Sequence, residues 1–212
     1  VQRFHDRWTE IPTCIELDDY PPRNPDQGNP VPVIGWMGTT SNLPYLRVLA
    51  PALSRLAEQQ AFVLRVIAPE AAEWSDLGLQ QVEIDFRPWR GASEVAQLQA
   101  FDIGVMPLPQ DEEWTRYKCG LKLLQYMAVG LPAVASPVGI NAEIVQDGSN
   151  GFLADSPEAW LPPLKRLVTD ATLRRRVGLA GRRTVEQAYS VEVNLPRYLS
   201  AFEQAIAHRA QN

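Results

Sequence analysis

A chain of 212 residues with 45% hydrophobic content is long enough to bury a full core and falls within the range of one domain. Its 20 Lys and Arg against 25 Asp and Glu leave a net charge of -5, which argues against a protein that binds the backbone of a nucleic acid. The two cysteines, Cys14 and Cys119, stand far apart and outside any CxxC or Cys/His spacing, so neither a disulfide framework nor a zinc site is indicated and a reducing, cytoplasmic setting fits best.

No run of 18 apolar residues occurs, and the N-terminus lacks the basic-then-apolar layout of a secretory signal. Any association with a membrane, at its inner face, is expected only through parts outside this chain. The sequence opens at Val1 rather than Met, and the stretch RFHDRWTEIPTCIELDDYPPRNP has no periodicity of its own. Residues 1–30 are therefore expected to be a truncated lead-in.

The first clear element is VPVIGWMG, a β-branched apolar run ending in Gly38 and followed by Thr39, Thr40 and Ser41, which predicts a strand, a tight turn and a helix. The helix PYLRVLAPALSRLAEQQ sets Leu46, Leu49, Leu53 and Leu56 on one stripe, suited to packing on a sheet. Further strands are predicted at AFVLRVIAP, QQVEIDFRPW, FDIGVMPLP and LPAVASPVG, with helical stretches such as SEVAQLQA and LKLLQYMAV between them. Alternation of this kind is the pattern of a parallel sheet covered on both faces, so the predicted fold is a doubly wound, Rossmann-like α/β domain over residues 31–190. After Gly151 the pattern reads as helix alone, three segments closing the chain, the last within 191–212. The arginines at 174–176 and 182–183 read as solvated faces of amphipathic helices.

In an open parallel sheet, ligands bind outside the carboxyl ends of the strands, near glycine turns and helix N-termini. Three segments meet that description. The first is Gly35-Trp36-Met37-Gly38-Thr39-Thr40, where glycine lets backbone approach a phosphate, although it is neither GxGxxG nor GxxxxGK[ST] and serves equally as a structural turn. The second runs from Lys118 to Gly130. At ~100° per residue, Lys118, Lys122 and Gln125 fall on one face, and Leu121, Leu124 and Ala128 on another. Two lysines in a helix's first turns oppose the macrodipole, an arrangement that makes most sense with an anion between them; solvated lysines are the alternative. The third, Ser136 to Glu143, contains Gly139, Ile140 and Asn141 and offers free amides for an oxygen-rich group, with Glu143 either an acceptor for hydroxyls or a dipole complement.

Read in order, FDIGVMPLP and GLKLLQYMAVGLPAVASPVGINAEIVQDGSNGFL resemble the C-terminal domain of the group 1 (family 4) retaining glycosyltransferases, which have two Rossmann-like domains facing across a cleft. The resemblance covers roughly 180 residues, from Ile34 to the end, and TEIPTCIELDDYPP resembles the family's interdomain connection. It implies a fragment of a longer enzyme that transfers a sugar from a UDP- or GDP-linked donor to an acceptor hydroxyl with retention, as in polysaccharide biosynthesis. The acceptor, a glycan or lipid, would be held by an N-terminal domain that the final helix crosses to cover. By the same resemblance, Lys118, Lys122, Gly38 and Thr39 would hold the donor diphosphate and Gln125 the ribose. Gly139, Ile140, Asn141 and Glu143 would form the donor sugar and phosphate loop, and Arg87, Pro88 and Trp89 the base side.

The departures from the family pattern are specific. Two glutamates eight residues apart are usual around this helix, and the matching positions here are Tyr117 and Gln125. Asp111, Glu112 and Glu113 lie just upstream, GTTSNLPYL offers no Arg or Lys before Arg47, and no catalytic residue is assigned. With no Asp-x-Asp pair, neither a metal nor a cofactor is expected. A nucleotide-sugar epimerase of the same fold and a non-catalytic nucleotide-sugar-binding module remain the alternatives.

Overall fold

The computed structural model describes residues 8–24 and 28–210, so the portions of the lead-in at 1–7 and 25–27, and residues 211–212, lie outside the described residues. Six strands, β1 (Val33–Met37), β2 (Val63–Ala68), β3 (Ile84–Pro88), β4 (Ile103–Met106), β5 (Ala133–Ala135) and β6 (Phe152–Leu153), form one sheet in the order β3-β2-β1-β4-β5-β6. Every neighbouring pair runs parallel. Seven α-helices accompany them among the described residues: α1 (Ala50–Ala57), α2 (Glu94–Gln99), α3 (Leu121–Ala128), α4 (Asn141–Ile144), α5 (Leu161–Thr169), α6 (Ala171–Thr184) and α7 (Val191–Ala210).

Strand side chains alternate between faces, and both faces of this sheet are covered. Ile34 and Trp36 of β1 join one core with Leu53 and Leu56 of α1 and Leu164 and Leu167 of α5. Val33 and Met37 join the other, with Leu98 of α2 and Leu123, Leu124 and Met127 of α3. A side chain of this kind contributes about 1.5–3 kcal/mol when fully buried, so two continuous apolar layers hold the sheet from both sides. The doubly wound α/β domain expected from the strand-helix alternation is the fold observed.

Three local expectations are corrected. The segment expected to be one helix from Pro44 onward is a 3-10 stretch (Thr40–Val48) followed by α1, because Pro44 and Pro51 lack the N–H that a continuous α-helix needs. Leu46, Leu49, Leu53 and Leu56 are nonetheless fully buried on the sheet, as their spacing implied. The region after Gly151 is not helix alone, since Phe152 and Leu153 pair with Val134 and Ala135 as an edge strand too short to leave a periodic signal. The arginines of α6 divide: Arg175, Arg176 and Arg183 are exposed as expected, whereas Arg174 and Arg182 are not. Arg174 donates to the Leu167 carbonyl at 2.7 Å and the Val168 carbonyl at 3.1 Å, and Arg182 donates to the Tyr20 carbonyl at 2.7 Å. Cationic side chains at these carbonyls satisfy acceptors that a helix end or an irregular segment leaves open.

Among its described residues the lead-in carries one short 3-10 turn, Leu17–Asp19, and is held to the domain by side chains and one bridge. Ile15 is buried and forms a parallel bridge with Ser190, and Arg23 pairs with the buried Asp102 at 3.2 Å. At the far end of the chain α7 carries an uncovered stripe, with Leu195, Leu199 and Phe202 about half exposed or more. Among the described residues no helix is long and apolar enough to cross a membrane.

Candidate functional site

The strand order makes β1 and β4 neighbours although the connections from them run to opposite edges of the sheet, β1 leading to β2 and β4 to β5. Such a reversal leaves a crevice at the carboxyl ends of the two strands. An open cavity of about 580 Å³ lies there, with Met37 and Gly38 from the end of β1, Met106 from the end of β4, and Lys118, Lys122 and Gln125 from the approach to α3 and from the helix itself.

The two lysines reach the cavity by different routes. Lys122 is the second residue of α3, but Lys118 precedes it in extended conformation (φ -70°, ψ 135°), and Gly120 makes the left-handed turn (φ 71°) that starts the helix. Lys118 is therefore not on the helix face to which its spacing assigned it; the turn at Gly120, not helical periodicity, brings the two ammonium groups to one cavity. Leu121 is likewise 41% exposed at the cavity rather than in the core, whereas Leu124 and Ala128 are buried as expected.

Lys118 Nζ donates to Asn42 Oδ1 at 3.2 Å and lies 5.1 Å from the Tyr45 ring centroid. Lys122 Nζ lies 5.7 Å from the Trp36 ring centroid. Burial first, and the neighbouring Lys118 charge second, push the Lys122 amine down to about 8. Two ammonium groups at one cavity beside a helix N-terminus suit an anion, which would relieve the desolvation of Lys122 and the repulsion it meets. Gly38 permits the arrangement, because a Cβ at that position would stand 2.5 Å from the Trp36 ring and 3.1 Å from Lys122 Cε.

Gln125, only 5% exposed, lines the same cavity and is committed to a network. Its Nε2 donates to Glu94 Oε1 and to the Tyr20 hydroxyl, each at 2.8 Å. Tyr20 in turn donates to Glu94 Oε1 at 2.9 Å, and the Trp89 indole N–H to Glu94 Oε2 at 2.9 Å. Burial, ahead of its hydrogen-bond partners, holds the Tyr20 phenol above its usual range, so it keeps its proton at neutral pH. Glu94 had no sequence signal beyond a Glu in the first turn of a helix, and Tyr20 lay in an aperiodic segment.

The remaining expected site residues divide. Thr39 and Trp89 line the cavity, but Arg87 does not, its Nε being paired with Asp85 Oδ1 at 2.7 Å, and Pro88 is exposed outside the lining. Gly139, Ile140, Asn141 and Glu143 are not in the lining either; they pack beside it. A Cβ on Gly120 would meet Ile140 at 2.9 Å and one on Gly139 the Arg116 carbonyl at 2.4 Å, so this loop buttresses the turn that presents Lys118. Asn141 is fully buried, donating to the Ser136 carbonyl at 3.2 Å, while Glu143 is exposed. Tyr117 lines the cavity at its rim with Trp114, and Asp111, Glu112 and Glu113 do not. Among the described residues no cluster of three His, Cys, Asp or Glu side chains gathers as a metal site.

A parallel sheet of this order, with a glycine-lined cationic cavity at its switch point, defines a Rossmann-like ligand-binding domain. The family model described as "Glycosyl transferases group 1" matches residues 31–170, and the chain belongs to that family. It is 28% identical over 154 residues to the D-inositol 3-phosphate glycosyltransferase of Corynebacterium urealyticum, a match covering 65% of this chain and 35% of that protein. Among solved structures, a glycosyltransferase from Rickettsia africae superposes with a TM-score of 0.74 at 16% identity, covering 95% of this chain and 58% of that one. A TarM mutant from S. aureus in complex with Fondaparinux, α-GlcNAc-glycerol and UDP gives 0.74 at 16% identity, covering 95% of this chain and 41% of that one. The chain thus spans about a third of the length of the curated relative and about half of these structures.

Proposed function

We propose that this chain is the donor-binding half of a retaining glycosyltransferase and that the cavity at the β1/β4 edge binds a UDP- or GDP-linked sugar. The observation that carries the reading is the convergence of Lys118 and Lys122 on a cavity at the N-terminus of α3. Two positive charges and an oriented helix end suit a diphosphate, with the Thr39 hydroxyl in the cavity lining as a further donor; the Gly38 N–H is spent on the Ile67 carbonyl at 2.9 Å, so Gly38 contributes close approach and not a donor. Gln125 meets the ribose and Trp89 the base. The donor sugar lies toward the loop of Gly139, Ile140, Asn141 and Glu143. The TarM structure, which holds UDP, supports the choice of ligand.

In this scheme the bond between the anomeric carbon and the diphosphate breaks with its electron pair leaving on the diphosphate, the acceptor oxygen takes the sugar with retention, and the acceptor's proton passes to an oxygen of the departing diphosphate. The chain's own contribution is to neutralise the departing diphosphate with charges already in place, so that no reorganisation is needed as negative charge develops. The glycan or lipid acceptor is held by a partner domain, which the uncovered stripe of α7 is suited to meet. A non-catalytic nucleotide-sugar-binding module is the second reading, favoured by Tyr117 and Gln125 standing where the family carries glutamates.

Calorimetry with UDP and GDP on the wild-type chain and on Lys122→Ala tests the proposal. Loss of one charge-assisted contact is expected to weaken binding by about 1.5–3 kcal/mol. Unchanged affinity would remove Lys122 from the site.

A further inference from the structure

Gln125 is uncharged, yet the network around it decides which end of its amide faces the cavity. The Glu94 carboxylate accepts from two groups whose donor role is fixed by their neighbours or chemistry, the Tyr20 hydroxyl and the Trp89 indole. A carboxylate surrounded in this way acts as the acceptor, so the Gln125 atom 2.8 Å from Glu94 Oε1 has to be nitrogen. The Tyr20 hydroxyl spends its single proton on Glu94 at 2.9 Å and therefore meets Gln125 Nε2, 2.8 Å away, as an acceptor. With Nε2, the Tyr20 hydroxyl and Glu94 Oε1 at 2.8, 2.8 and 2.9 Å from one another, the two contacts subtend only about 60° at Nε2 and share one amide proton. The carbonyl Oε1 takes no part in these contacts and is left to the cavity that Gln125 lines.

We infer that Glu94 is a positioning residue for hydroxyl recognition: it holds Gln125 with its carbonyl oxygen presented to the cavity, so that the amide accepts from a ribose hydroxyl as a carboxylate would. The inference rests on the reading of the cavity as a nucleotide site. Without Glu94 the amide would turn about its terminal torsion, which is broad and roughly two-fold, and present N–H groups as often as the oxygen. A ribose hydroxyl can still bond to an amide N–H, but a fixed acceptor selects the hydroxyl over a hydrogen, whereas a freely turning amide makes that choice weakly. The ligand class is accordingly a ribonucleoside diphosphate rather than its deoxy counterpart. Because Tyr20 and Trp89 also hold Glu94, the lead-in and the end of β3 share in setting this preference.

The test is calorimetry of the 212-residue chain with UDP, GDP and their 2′-deoxy and 3′-deoxy counterparts. The wild type should prefer a ribonucleotide over at least one deoxy form by about 3- to 10-fold, the range set by one net hydrogen bond. Glu94→Ala should bring that ratio close to one. Glu94→Asp, which keeps the charge but withdraws the oxygens by one methylene, should do the same and covers the case in which the alanine variant fails to fold. Glu94→Gln, whose carbonyl can still accept from Gln125 at the loss of the Trp89 bond, should retain most of the preference. A merely structural Glu94 would lower the melting temperature and weaken both nucleotides in proportion; an unchanged ratio in the Ala or Asp variant overturns the inference. If the wild type binds nucleotide without a ribose preference, this inference alone fails. If it binds no nucleoside diphosphate, the nucleotide reading fails with it.

Discussion

The ammonium of Lys122 lies 5.7 Å from the centroid of the buried Trp36 ring, so a cation is held on the last apolar layer beneath the cavity floor. A ring face attracts such a charge, but the contact does not replace the water that burial removes, and the amine falls to about 8 from its ordinary 10.5.

The depressed amine predicts a pH dependence whose sign follows from linkage. Between about 8 and 10.5 the folded chain binds fewer protons at this site than the unfolded one, so the site's contribution to stability rises with pH across that window. Below about 8 both states are charged and the penalty is present in full. Urea unfolding of wild type and Lys122→Met should therefore converge as pH rises from 8 to 10, with the methionine variant the more stable at pH 7.

Diphosphate binding should run the other way. An anion favours the charged amine, so affinity should fall as pH rises above 8 and binding at pH 8.5 should take up protons. Calorimetry in two buffers of different ionisation enthalpy measures the uptake directly; its absence would separate Lys122 from the ligand.

Gly38→Ala places a Cβ 2.5 Å from the Trp36 ring and 3.1 Å from Lys122 Cε. Overpacking of this kind costs about 1–3 kcal/mol, and relief requires Trp36 or Lys122 to move. Denaturation should show the stability loss, and nucleotide titration a weaker complex.

Asp102→Ala should cost about 1–3 kcal/mol in urea unfolding, the range for leaving a buried donor unsatisfied. Its carboxylate, 1% exposed, accepts from Arg23 at 3.2 Å, Asn29 at 2.7 Å and the Val33 backbone N–H at 2.9 Å, so its loss removes an ion pair and the acceptor of a buried strand donor together. Asp102 immediately precedes β4, at the amino end of the strand, whereas the cavity lies at the carboxyl ends, so nucleotide affinity of the folded variant should stay close to wild type.

EDTA should leave nucleotide affinity unchanged, since the cavity's charge compensation comes from Lys118 and Lys122 rather than a carboxylate cluster. On the proposed reading of the chain as a donor-binding half, it should transfer no sugar from labelled donors by itself, because holding donor and acceptor together is worth about 7–11 kcal/mol and such a half holds only one. A strict need for magnesium or manganese, or transfer at a rate near that of the intact enzyme, would contradict these expectations.

What the amino-acid order determined alone is what local geometry encodes. The β-branched runs of β1, β2 and β4 and the leucine stripe from Leu46 to Leu56 each act over a few residues, where chain geometry ties spacing to face. Tertiary structure decided what depends on closure of the whole chain. The position of β1 beside β4 created the cavity, and the turn at Gly120 brought Lys118 to Lys122 although they do not share a helix. The network on Gln125 joins residues 31 and 105 positions away, and it arose where no periodicity marked Glu94 or Tyr20. A hydrogen bond between distant segments leaves no trace in local spacing, because its geometry exists only once the sheet has set where each segment ends.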